Sequence, residues 1–355
     1  MEIRREAKDT ATILLERSDG LALDYRAGQF LTFLFSFHGH ELRRSYSFSS
    51  VPGIDPLPAI TVKRVVNGEV SRFLLDHLQP GDQLLSLFPA GKFVLEGGDR
   101  QSLFFIAAGS GMAPVFGLIR EALVNRSAAR VVLISQHRDE ASILFRTSLE
   151  EMERQYTDRF QWMSLLSDPG EDGMRGGPAQ PRSHRTARLN NWLLEDLLGA
   201  LLWKDIHDRH SSSGDAGQAL FYLCGPPAFM RMVLFTLRLM GIADVQIKKE
   251  NFTVEYVPPP PLLSDPSPKR VVIHTAETQY AFEVAWPSTI LQAALDHHIP
   301  LPYSCKGGRC STCVARCLNG KVKMSINEVL TEQDIREGLV LTCVGYAETD
   351  VELKY

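Results

Sequence analysis

Four cysteines constrain the fold of this 355-residue chain more than any other feature. Cys305, Cys310 and Cys313 follow the spacing C-x4-C-x2-C, and Cys343 lies further along the chain. This spacing is typical of four thiolates that hold a [2Fe–2S] cluster. The first interval contains Gly307-Gly308, and a loop around a cluster needs backbone freedom and N–H groups directed at sulfur. The sequence therefore predicts an electron-transfer protein.

Other interpretations of these cysteines stay open. A structural zinc site usually shows paired C-x2–4-C or C/H spacings, and the sequence lacks a second such pair. Cys317 could replace Cys343 as the fourth ligand, although a strand residue so close to Cys313 is expected to point into the domain core. A Rieske centre needs two histidines, and His297-His298 has no C-x-H partner. The pattern favours the four-cysteine cluster.

Composition excludes several function classes. The net charge is −4 and 44% of the residues are hydrophobic, so nothing global indicates a nucleic-acid or membrane partner. The N-terminal segment is charged and lacks the apolar core of a signal peptide. A disulfide framework would be unusual for six cysteines in so long a chain. We therefore expect a cytoplasmic protein.

The chain is long enough for two or three domains. A stretch with six prolines, residues 257–269, favours extended backbone and predicts a semi-rigid linker. The predicted organisation is a β-domain over 1–98, an α/β domain over 99–254, a linker over 255–269 and the cysteine-containing domain over 270–355.

The first two domains differ in their pattern of predicted secondary structure. Residues 12–95 alternate short β-rich runs with turn signals, which predicts an antiparallel barrel or sandwich with strands at Phe30–Phe35, Ser45–Ser49, Ile60–Val66 and Leu84–Phe88. Strands then alternate with helices, which predicts a parallel sheet. Its strands are expected at Leu103–Ala108, Arg130–Ser135 and Ala219–Cys224, and its helices from Pro114, over Ile143–Tyr156 and over Pro227–Met240.

A glycine-rich turn joins the first predicted strand and helix of the α/β domain. Gly109, Gly111 and Pro114 form a G-x-G-x-x-P motif. Glycines let a phosphate approach the backbone, and the helix N-terminus offers unpaired N–H groups and partial positive charge. Such a motif alone is equally typical of a tight structural turn, but its position between strand and helix favours a nucleotide site.

Motifs in the β-domain make a family resemblance specific. Arg44-Ser-Tyr-Ser47 is preceded by Ala27-Gly-Gln-Phe30 and followed by Ile60-Thr-Val-Lys-Arg64 and Gly68-Glu-Val-Ser71. With these motifs the whole chain resembles the ferredoxin–NADP reductase superfamily in the order flavin domain, nicotinamide domain, C-terminal plant-type ferredoxin. The resemblance implies an antiparallel β-barrel, an α/β parallel-sheet domain and a β-grasp ferredoxin domain.

The resemblance assigns flavin-binding roles. Arg44 would pair with the pyrophosphate, Tyr46 would stack on the isoalloxazine, and Ser47 would hydrogen-bond near N5; Arg and aromatic side chains suit these partners. A plain β-strand with a surface arginine is the alternative. The second phosphate-binding segment would use Gly68, Val70 and Ser71. Because FMN-containing relatives organise this segment differently, FAD is expected rather than FMN.

The resemblance also implies how the nicotinamide dinucleotide binds. Gly109, Gly111 and Pro114 would carry it, and the Cys224-Gly225-Pro226 turn would lie beside the nicotinamide. Glu250 and Phe252 resemble the acidic and aromatic residues that close over the flavin. Ser47, Cys224 and Glu250 are the expected catalytic residues. Without the family, Cys224 would be interpreted as a buried small hydrophobe.

Cofactor choice depends on the end of the second strand of the α/β domain. Arg138 there favours NADPH, since an arginine can bind a 2′-phosphate, whereas an acidic residue binds the ribose hydroxyl of NADH. Asp139 and Glu140 follow directly, so NADH stays open, and an exposed loop ion pair is a further interpretation.

The motifs together predict a reductase that passes electrons from NADPH through FAD and [2Fe–2S] to an oxygenase component. Over nearly its full length the chain is similar to the reductase components of phenylacetyl-CoA epoxidases, which serve di-iron oxygenases. Reductases of Rieske-type or other aromatic-ring oxygenases are the alternative within the enzyme class. A flavin- or metal-binding redox sensor is the non-enzyme alternative.

A final hypothesis concerns the surface near the cysteines. Residues 305–323 contain five basic residues and no acidic one: Lys306, Arg309, Arg316, Lys321 and Lys323. This basic patch could dock an acidic face of the oxygenase. Alternatively, the charges point apart into solvent.

Overall fold

The computed structural model describes residues 2–37, 39–98, 101–168, 184–208, 217–252 and 258–355. It divides into two compact units, Met1–Pro89 with Phe93–Phe252, and Ala90–Lys92 with Thr253–Tyr355. The predicted linker over 255–269 falls partly outside the described residues, because its first three positions are not among them. No helix in the described part of the chain is long and apolar enough to cross a membrane.

The N-terminal strands of the first unit are antiparallel, as predicted, and form two three-stranded sheets with the orders β1-β2-β5 and β4-β3-β6. The elements are β1 (Glu2–Ala7), β2 (Thr10–Leu14), β3 (Phe30–Phe37), β4 (His40–Ser47), β5 (Ala59–Lys63), α1 (Glu69–Asp76) and β6 (Leu85–Ser86). Strand β5 ends earlier than predicted because the N–H of Val65 donates to Ser71 Oγ of α1 instead of a strand partner. Buried side chains including Ile13, Phe33 and Leu74 form the core between these elements.

The rest of the first unit is a six-stranded sheet with the order β10-β9-β8-β7-β11-β12. All of its strand pairs are parallel, which confirms the predicted α/β class. Its elements are β7 (Gln101–Ala108), α2 (Met112–Asn125), β8 (Arg130–His137), α3 (Arg146–Gln155), β9 (Phe160–Leu166), β10 (His184–Thr186), α4 (Asn191–Asp208), β11 (Gly217–Cys224), α5 (Pro227–Leu239) and β12 (Ile247–Glu250). The apolar run of β7 is buried because helices cover the sheet.

Two helices of this sheet differ slightly from the prediction. Helix α2 begins at Met112, so Pro114 lies within its first turn, where a missing N–H costs nothing. Helix α3 begins at Arg146, three positions after the expected start. The preceding residues are buried in the core, and Phe145 has φ +59°, so this segment packs before the helix begins.

The second unit contains a five-stranded mixed sheet with the order β14-β13-β19-β15-β17 and a separate β16-β18 pair. Its elements are β13 (Lys269–His274), β14 (Gln279–Val284), α6 (Ile290–Asp296), β15 (Val314–Asn319), β16 (Val322–Met324), α7 (Glu332–Arg336), β17 (Leu339–Leu341), β18 (Gly345–Ala347) and β19 (Val351–Lys354). The inner strands β13 and β19 are parallel and their neighbours are antiparallel, which fits the expected β-grasp class. Helix α6 buries Ile290, Leu291 and Ala294 in the core of this unit.

Candidate functional site

Three residues predicted to be catalytic meet in the first unit. The Ser47 hydroxyl, at the end of β4, donates to Glu250 Oε2 at 3.0 Å in a buried hydrogen bond. Cys224 ends β11, and it pairs in register with Glu250 at the end of β12. Parallel strands place their carboxyl ends at one edge of the sheet, which explains why Cys224 and Glu250 lie together, and the hydrogen bond brings Ser47 from the antiparallel strands to the same edge. The structure therefore brings the three side chains to a single location.

The electrostatics of this location keep Cys224 neutral. The thiol is fully buried. Burial, and secondarily the charge of Glu250, raise the pKa of the Cys224 thiol well above its ordinary value. Cys224 thus offers a neutral surface to a ligand and is not a nucleophilic thiolate.

The predicted glycine-rich turn lies against the same location. Gly109 has φ +56°, which favours glycine. A Cβ on Gly111 would lie 2.2 Å from the Cys224 carbonyl oxygen and 2.8 Å from the Gly225 nitrogen. Any larger residue would therefore displace the end of β11. Pro114 is buried in the first turn of α2, whose N-terminal N–H groups face this turn region.

The Cys224-Gly225-Pro226 turn is packed just as tightly. A Cβ on Gly225 would lie 2.8 Å from Phe229 Cδ1 and 3.2 Å from the Ala108 Cβ. Pro226 is the N-cap residue of α5 and has extended backbone. The turn thus has a fixed path between strand and helix. Phe252, two residues after Glu250, is 47% exposed and so offers much of its ring to solvent or a ligand.

The residues at the end of β8 form a second polar group. Arg138 is exposed and its Nε donates to Asp139 Oδ2 at 3.2 Å. The backbone N–H groups of Arg138 and Asp139 both donate to Ser142 Oγ, at 3.1 and 3.0 Å. Ser142 therefore fixes the backbone on which a cation and an anion are both presented.

Strand β4 presents the residues predicted to bind flavin. Arg44 is exposed, and its Nη1 donates to the Arg43 carbonyl at 2.8 Å. The Tyr46 ring lies 6.2 Å from the Phe33 ring, centroid to centroid. Burial raises the pKa of Tyr46 to about 12, so its phenol stays neutral. The strand thus combines an accessible guanidinium with a half-buried aromatic side chain.

The segment Gly68–Ser71 begins helix α1. The Ser71 hydroxyl donates to the Gly68 carbonyl at 3.3 Å and accepts from the Val65 N–H at 3.1 Å. A Cβ on Gly68 would lie 2.7 Å from Ser71 Oγ, so the closed turn requires glycine. Val70 is buried in the core. Hence the side chains of this segment hold its shape, and a phosphate could approach only its backbone N–H groups.

In the second unit, the four predicted cluster ligands form two pairs. The neighbouring Cys305 side chain lowers the pKa of the Cys310 thiol. The neighbouring Cys343 side chain likewise lowers the pKa of the Cys313 thiol. Two pairs of thiols match a binuclear cluster, in which each iron takes two protein ligands. Among the described residues, no three His, Cys, Asp or Glu side chains converge on one point, as a mononuclear ion would require.

The backbone around the first pair also fits a cluster. The Cys305 N–H donates to Cys310 Sγ at 3.5 Å, and the Gly307 N–H donates to Cys305 Sγ at 3.4 Å. The Arg309 N–H makes a further bond to Cys305. Amide donors directed at sulfur are the outer-shell groups that stabilise a negatively charged cluster. The residues present therefore fit a [2Fe–2S] cluster.

The alternative ligand Cys317 lies on strand β15 and makes its hydrogen bond within that strand. Its Sγ donates to the Asn319 carbonyl at 3.3 Å, and the half-buried side chain packs against the hydrophobic core of the unit. Cys343, by contrast, directly follows Thr342, whose N–H donates to the Cys313 carbonyl at 3.2 Å. The geometry favours Cys343 as the fourth ligand. None of the six cysteines, all of which lie in the described residues, forms a disulfide.

The five residues of the basic patch divide into two groups. Lys306 and Lys321 have exposed side chains, and the Lys306 ammonium lies 4.6 Å from the centroid of the Tyr303 ring. The others contact neighbours in their unit: Arg309 pairs with Glu328, Arg316 donates to the Glu337 carbonyl, and Lys323 donates to the Leu262 carbonyl. The docking hypothesis stays a prediction: Arg316 and Lys323 are exposed as well as Lys306 and Lys321, and Arg309 is the enclosed member of the patch.

Sequence reasoning missed a hydrogen-bond chain behind the second cysteine pair. The Thr342 hydroxyl donates to the Cys313 carbonyl at 3.0 Å and lies 2.6 Å from the Tyr355 hydroxyl. Thr342 precedes Cys343, so the Leu-Thr-Cys sequence was a usable signal. Tyr355 carried none, because its contact depends on strand β19.

Family models match three segments of the chain. They are an oxidoreductase FAD-binding domain over residues 2–95, an oxidoreductase NAD-binding domain over 105–234 and a 2Fe-2S iron-sulfur cluster binding domain over 273–348. Their order agrees with the order of the sites described above.

Two curated relatives are similar over almost their full lengths. The ferredoxin reductase component of 3-ketosteroid-9-alpha-monooxygenase from Mycolicibacterium smegmatis is 30% identical, with 100% of this chain and 95% of that protein covered. One of the subunits of 1,2-phenylacetyl-CoA epoxidase from Escherichia coli is also 30% identical, with 96% of this chain and 92% of that protein covered.

Two solved structures share the fold. Phthalate dioxygenase reductase has a TM-score of 0.55 at 20% identity, covering 100% of this chain and 96% of that chain. An intact type IV self-sufficient cytochrome P450 monooxygenase has a TM-score of 0.68 at 20% identity, covering 99% of this chain and 40% of that chain. At these identities the likeness concerns architecture alone.

Proposed function

Because this chain belongs to the ferredoxin–NADP reductase superfamily, among the members with a 2Fe-2S ferredoxin domain, we propose that it passes electrons from NADPH to an oxygenase component through FAD and a [2Fe–2S] cluster. The family makes it an NAD(P)H-dependent oxidoreductase of the kind that serves oxygenase systems. The observation that carries the proposal is the buried Ser47–Glu250 hydrogen bond beside Cys224. It joins a strand of the flavin domain to the strand ends of the nicotinamide domain.

The two bound groups supply the redox chemistry, since a flavin exchanges electrons singly or in pairs and a [2Fe–2S] cluster exchanges one at a time. The protein's own contribution is alignment. Arg44 would bind the flavin pyrophosphate and Tyr46 would cover the ring. The backbone N–H groups at the start of α1, in the segment Gly68–Ser71 with Val70 buried beneath it, would bind the second phosphate. Cys305, Cys310, Cys313 and Cys343 would hold the cluster.

On the nucleotide side, Gly109 and Gly111 leave room for the dinucleotide beside the turn of Gly225 and Pro226. Pro114 lies in the first turn of the helix whose N-terminus would face its phosphates, and Phe252 would shield the flavin. Cys224 supplies a neutral wall. Ser47 keeps its hydroxyl proton directed at Glu250 Oε2, so its oxygen can accept a hydrogen bond from a ring N–H.

NADPH is the proposed donor because the exposed guanidinium of Arg138 lies at the end of β8. Its ion pair with Asp139 means that a 2′-phosphate must compete with a carboxylate. FAD is proposed rather than FMN because the segment Gly68–Ser71 resembles the second phosphate-binding segment of the family, which FMN-containing relatives organise differently. A cytoplasmic location is proposed because none of the six cysteines in the described residues forms a disulfide, which suits a reducing compartment.

The proposed partner is the oxygenase component of phenylacetyl-CoA epoxidase. The similarity to the relative from the Escherichia coli epoxidase supports it. A second candidate is a 3-ketosteroid-9-alpha-monooxygenase, because the relative from that system is equally identical. Product formation by each purified oxygenase component, with this reductase as the sole electron donor, distinguishes them. If no product forms with either oxygenase component, both assignments of partner are wrong and the reductase function is unaffected.

Anaerobic titration with NADPH, followed by visible absorbance, tests the reductase function itself. Flavin and iron–sulfur bands should bleach together with uptake of about three electron equivalents, because the flavin takes two and the cluster one. A spectrum without iron–sulfur absorbance, or one that NADPH leaves unchanged, would refute the proposal and favour the sensor interpretation.

The Ser47→Ala variant tests the catalytic location. A hydrogen bond to a charged group contributes about 1.5–3 kcal/mol, so flavin reduction by NADPH should slow by roughly 10- to 100-fold. Ser45→Ala is the matched control, because Ser45 lies on the same strand and its hydroxyl lies 2.8 Å from Thr32 Oγ1 instead. Equal rates in the two variants would contradict the role of Ser47.

A further inference from the structure

One ion pair beside the predicted cluster is enclosed within the second unit. Arg309 Nη2 lies 3.0 Å from Glu328 Oε1, and the two side chains are only 11% and 23% exposed. Arg309 directly precedes the ligand Cys310. Charges so enclosed are screened less by water and salt than surface charges. The net charge of the pair therefore changes the electrostatic energy of any charged group bound next to it.

The backbone holds the two charges together. The Glu328 N–H donates to the Gly308 carbonyl at 3.2 Å. Gly308 has φ +72°, and a Cβ there would lie 3.0 Å from Ile326 Cγ2 and 3.2 Å from Val344 Cγ2. The segment around Glu328 thus packs directly on the loop between the first two cysteines. Val344 follows Cys343, so the same contact reaches the second cysteine pair.

A tight turn fixes the position of Glu328 from the other side. Asn327 Oδ1 accepts the N–H groups of Val329 and Leu330 at 3.1 and 2.8 Å, and Asn327 Nδ2 donates to the Leu330 carbonyl at 2.8 Å. The Ser325 N–H donates to the Val344 carbonyl at 3.0 Å. These bonds fix the backbone that carries the Glu328 side chain.

We propose that the Arg309–Glu328 pair sets the reduction potential of the cluster by cancelling the arginine charge next to it. Reduction adds one negative charge to the cluster, so an uncompensated cation nearby favours reduction and an uncompensated anion opposes it. Both residues are positioning residues that act through charge and touch no substrate. The inference rests on the proposed function, because it requires a bound cluster.

A double-mutant cycle in the full-length holoprotein tests this inference. Glu328→Gln should raise the cluster potential and Arg309→Gln should lower it, each by about tenfold in the flavin-to-cluster equilibrium constant, or about 59 mV for a one-electron couple. Arg309→Gln with Glu328→Gln should return close to the unmodified potential, because two amides can keep the contact without charge. The readouts are spectroelectrochemical titration and the EPR spectrum of the reduced cluster.

Lys306→Gln is the matched control. Lys306 follows Cys305 as Arg309 precedes Cys310, but its side chain is exposed. Its removal should shift the potential less than either single change in the enclosed pair. If Lys306→Gln shifted the reduction potential as much as Arg309→Gln, the claim that the enclosed charges act more strongly than exposed ones would be wrong.

A purely structural role of the pair predicts a different pattern. Both single variants and the double variant would then shift the potential in the same direction and lose iron faster, and this result would overturn the inference. If a single variant is isolated without iron, the double variant decides: a potential near that of the unmodified protein supports charge balance, and a changed potential or loss of iron refutes it. Iron and sulfide content of the unmodified protein tests the proposed function separately.

Discussion

The contact between Gly111 and the end of β11 allows a quantitative test of the strand-end location. In Gly111→Ala, the new Cβ would lie 2.2 Å from the Cys224 carbonyl oxygen, where real Cβ contacts essentially never fall under 3.0 Å. The neighbour is backbone whose strand is paired on both sides, with β7 and with β12. Turn and strand must therefore separate.

The required movement is about 1 Å, and misplacement of that size near reacting groups can reduce a rate by roughly 100-fold. Overpacking also costs about 1–3 kcal/mol of unfolding free energy. For a unit of this size, each kcal/mol lowers Tm by about 2–4 °C. We therefore expect a modest loss of stability and a much larger loss of flavin reduction.

Stopped-flow flavin reduction by NADPH and thermal unfolding measure the two effects. Gly199→Ala is the control, because Gly199 lies in helix α4 and its Cβ would meet nothing within 4 Å. The control should gain about 0.5–1 kcal/mol of stability, as alanine replaces glycine in a helix, and should reduce flavin at the unmodified rate. Flavin reduction by Gly111→Ala within about twofold of the unmodified rate would refute the reasoning, since the expected loss is roughly 100-fold.

Three further changes test other contacts. Burial raises the pKa of the Glu121 carboxyl, so its ionisation opposes folding and the unfolding free energy falls as pH rises through that pKa. Glu121→Gln should therefore raise Tm at about pH 8, and this gain should vanish in acid, where Glu121 is protonated. Arg120→Gln removes bonds of 2.6 and 2.9 Å to Asp55 and should cost about 1–3 kcal/mol in denaturant unfolding, partly recovered by adding Asp55→Asn. Tyr355→Phe should cost about 1 kcal/mol in the same assay, because Thr342 loses its 2.6 Å partner; an unchanged midpoint would exclude that contribution.

Local patterns predicted much of the architecture. The buried run of β7 and the alternation of strands and helices indicated the parallel sheet, because such periodicity is imposed by burial on both faces. The spacing of Cys305, Cys310 and Cys313 likewise indicated a loop that presents several thiols together. These signals are short in sequence, so they can be recognised without knowing the fold.

Contacts between distant residues were not predictable from local patterns. Ser47 and Glu250 are 203 positions apart, and only the family resemblance suggested that they share a location. The Arg309–Glu328 pair carried no signal, since the sequence between them does not reveal which side chains the fold encloses. For the same reason, residue counts cannot show that Arg309 of the basic patch has a neighbouring carboxylate.

The second unit has a hydrophobic core made entirely of its own residues, from Val271 to Leu353. Cys313 and Cys343 belong to that core, so the chemistry of the unit is built into its packing. A segment organised in this way can be gained, lost or exchanged between genes as a block. The acceptor served by such reductases can therefore change in evolution without any alteration of the nucleotide-binding machinery.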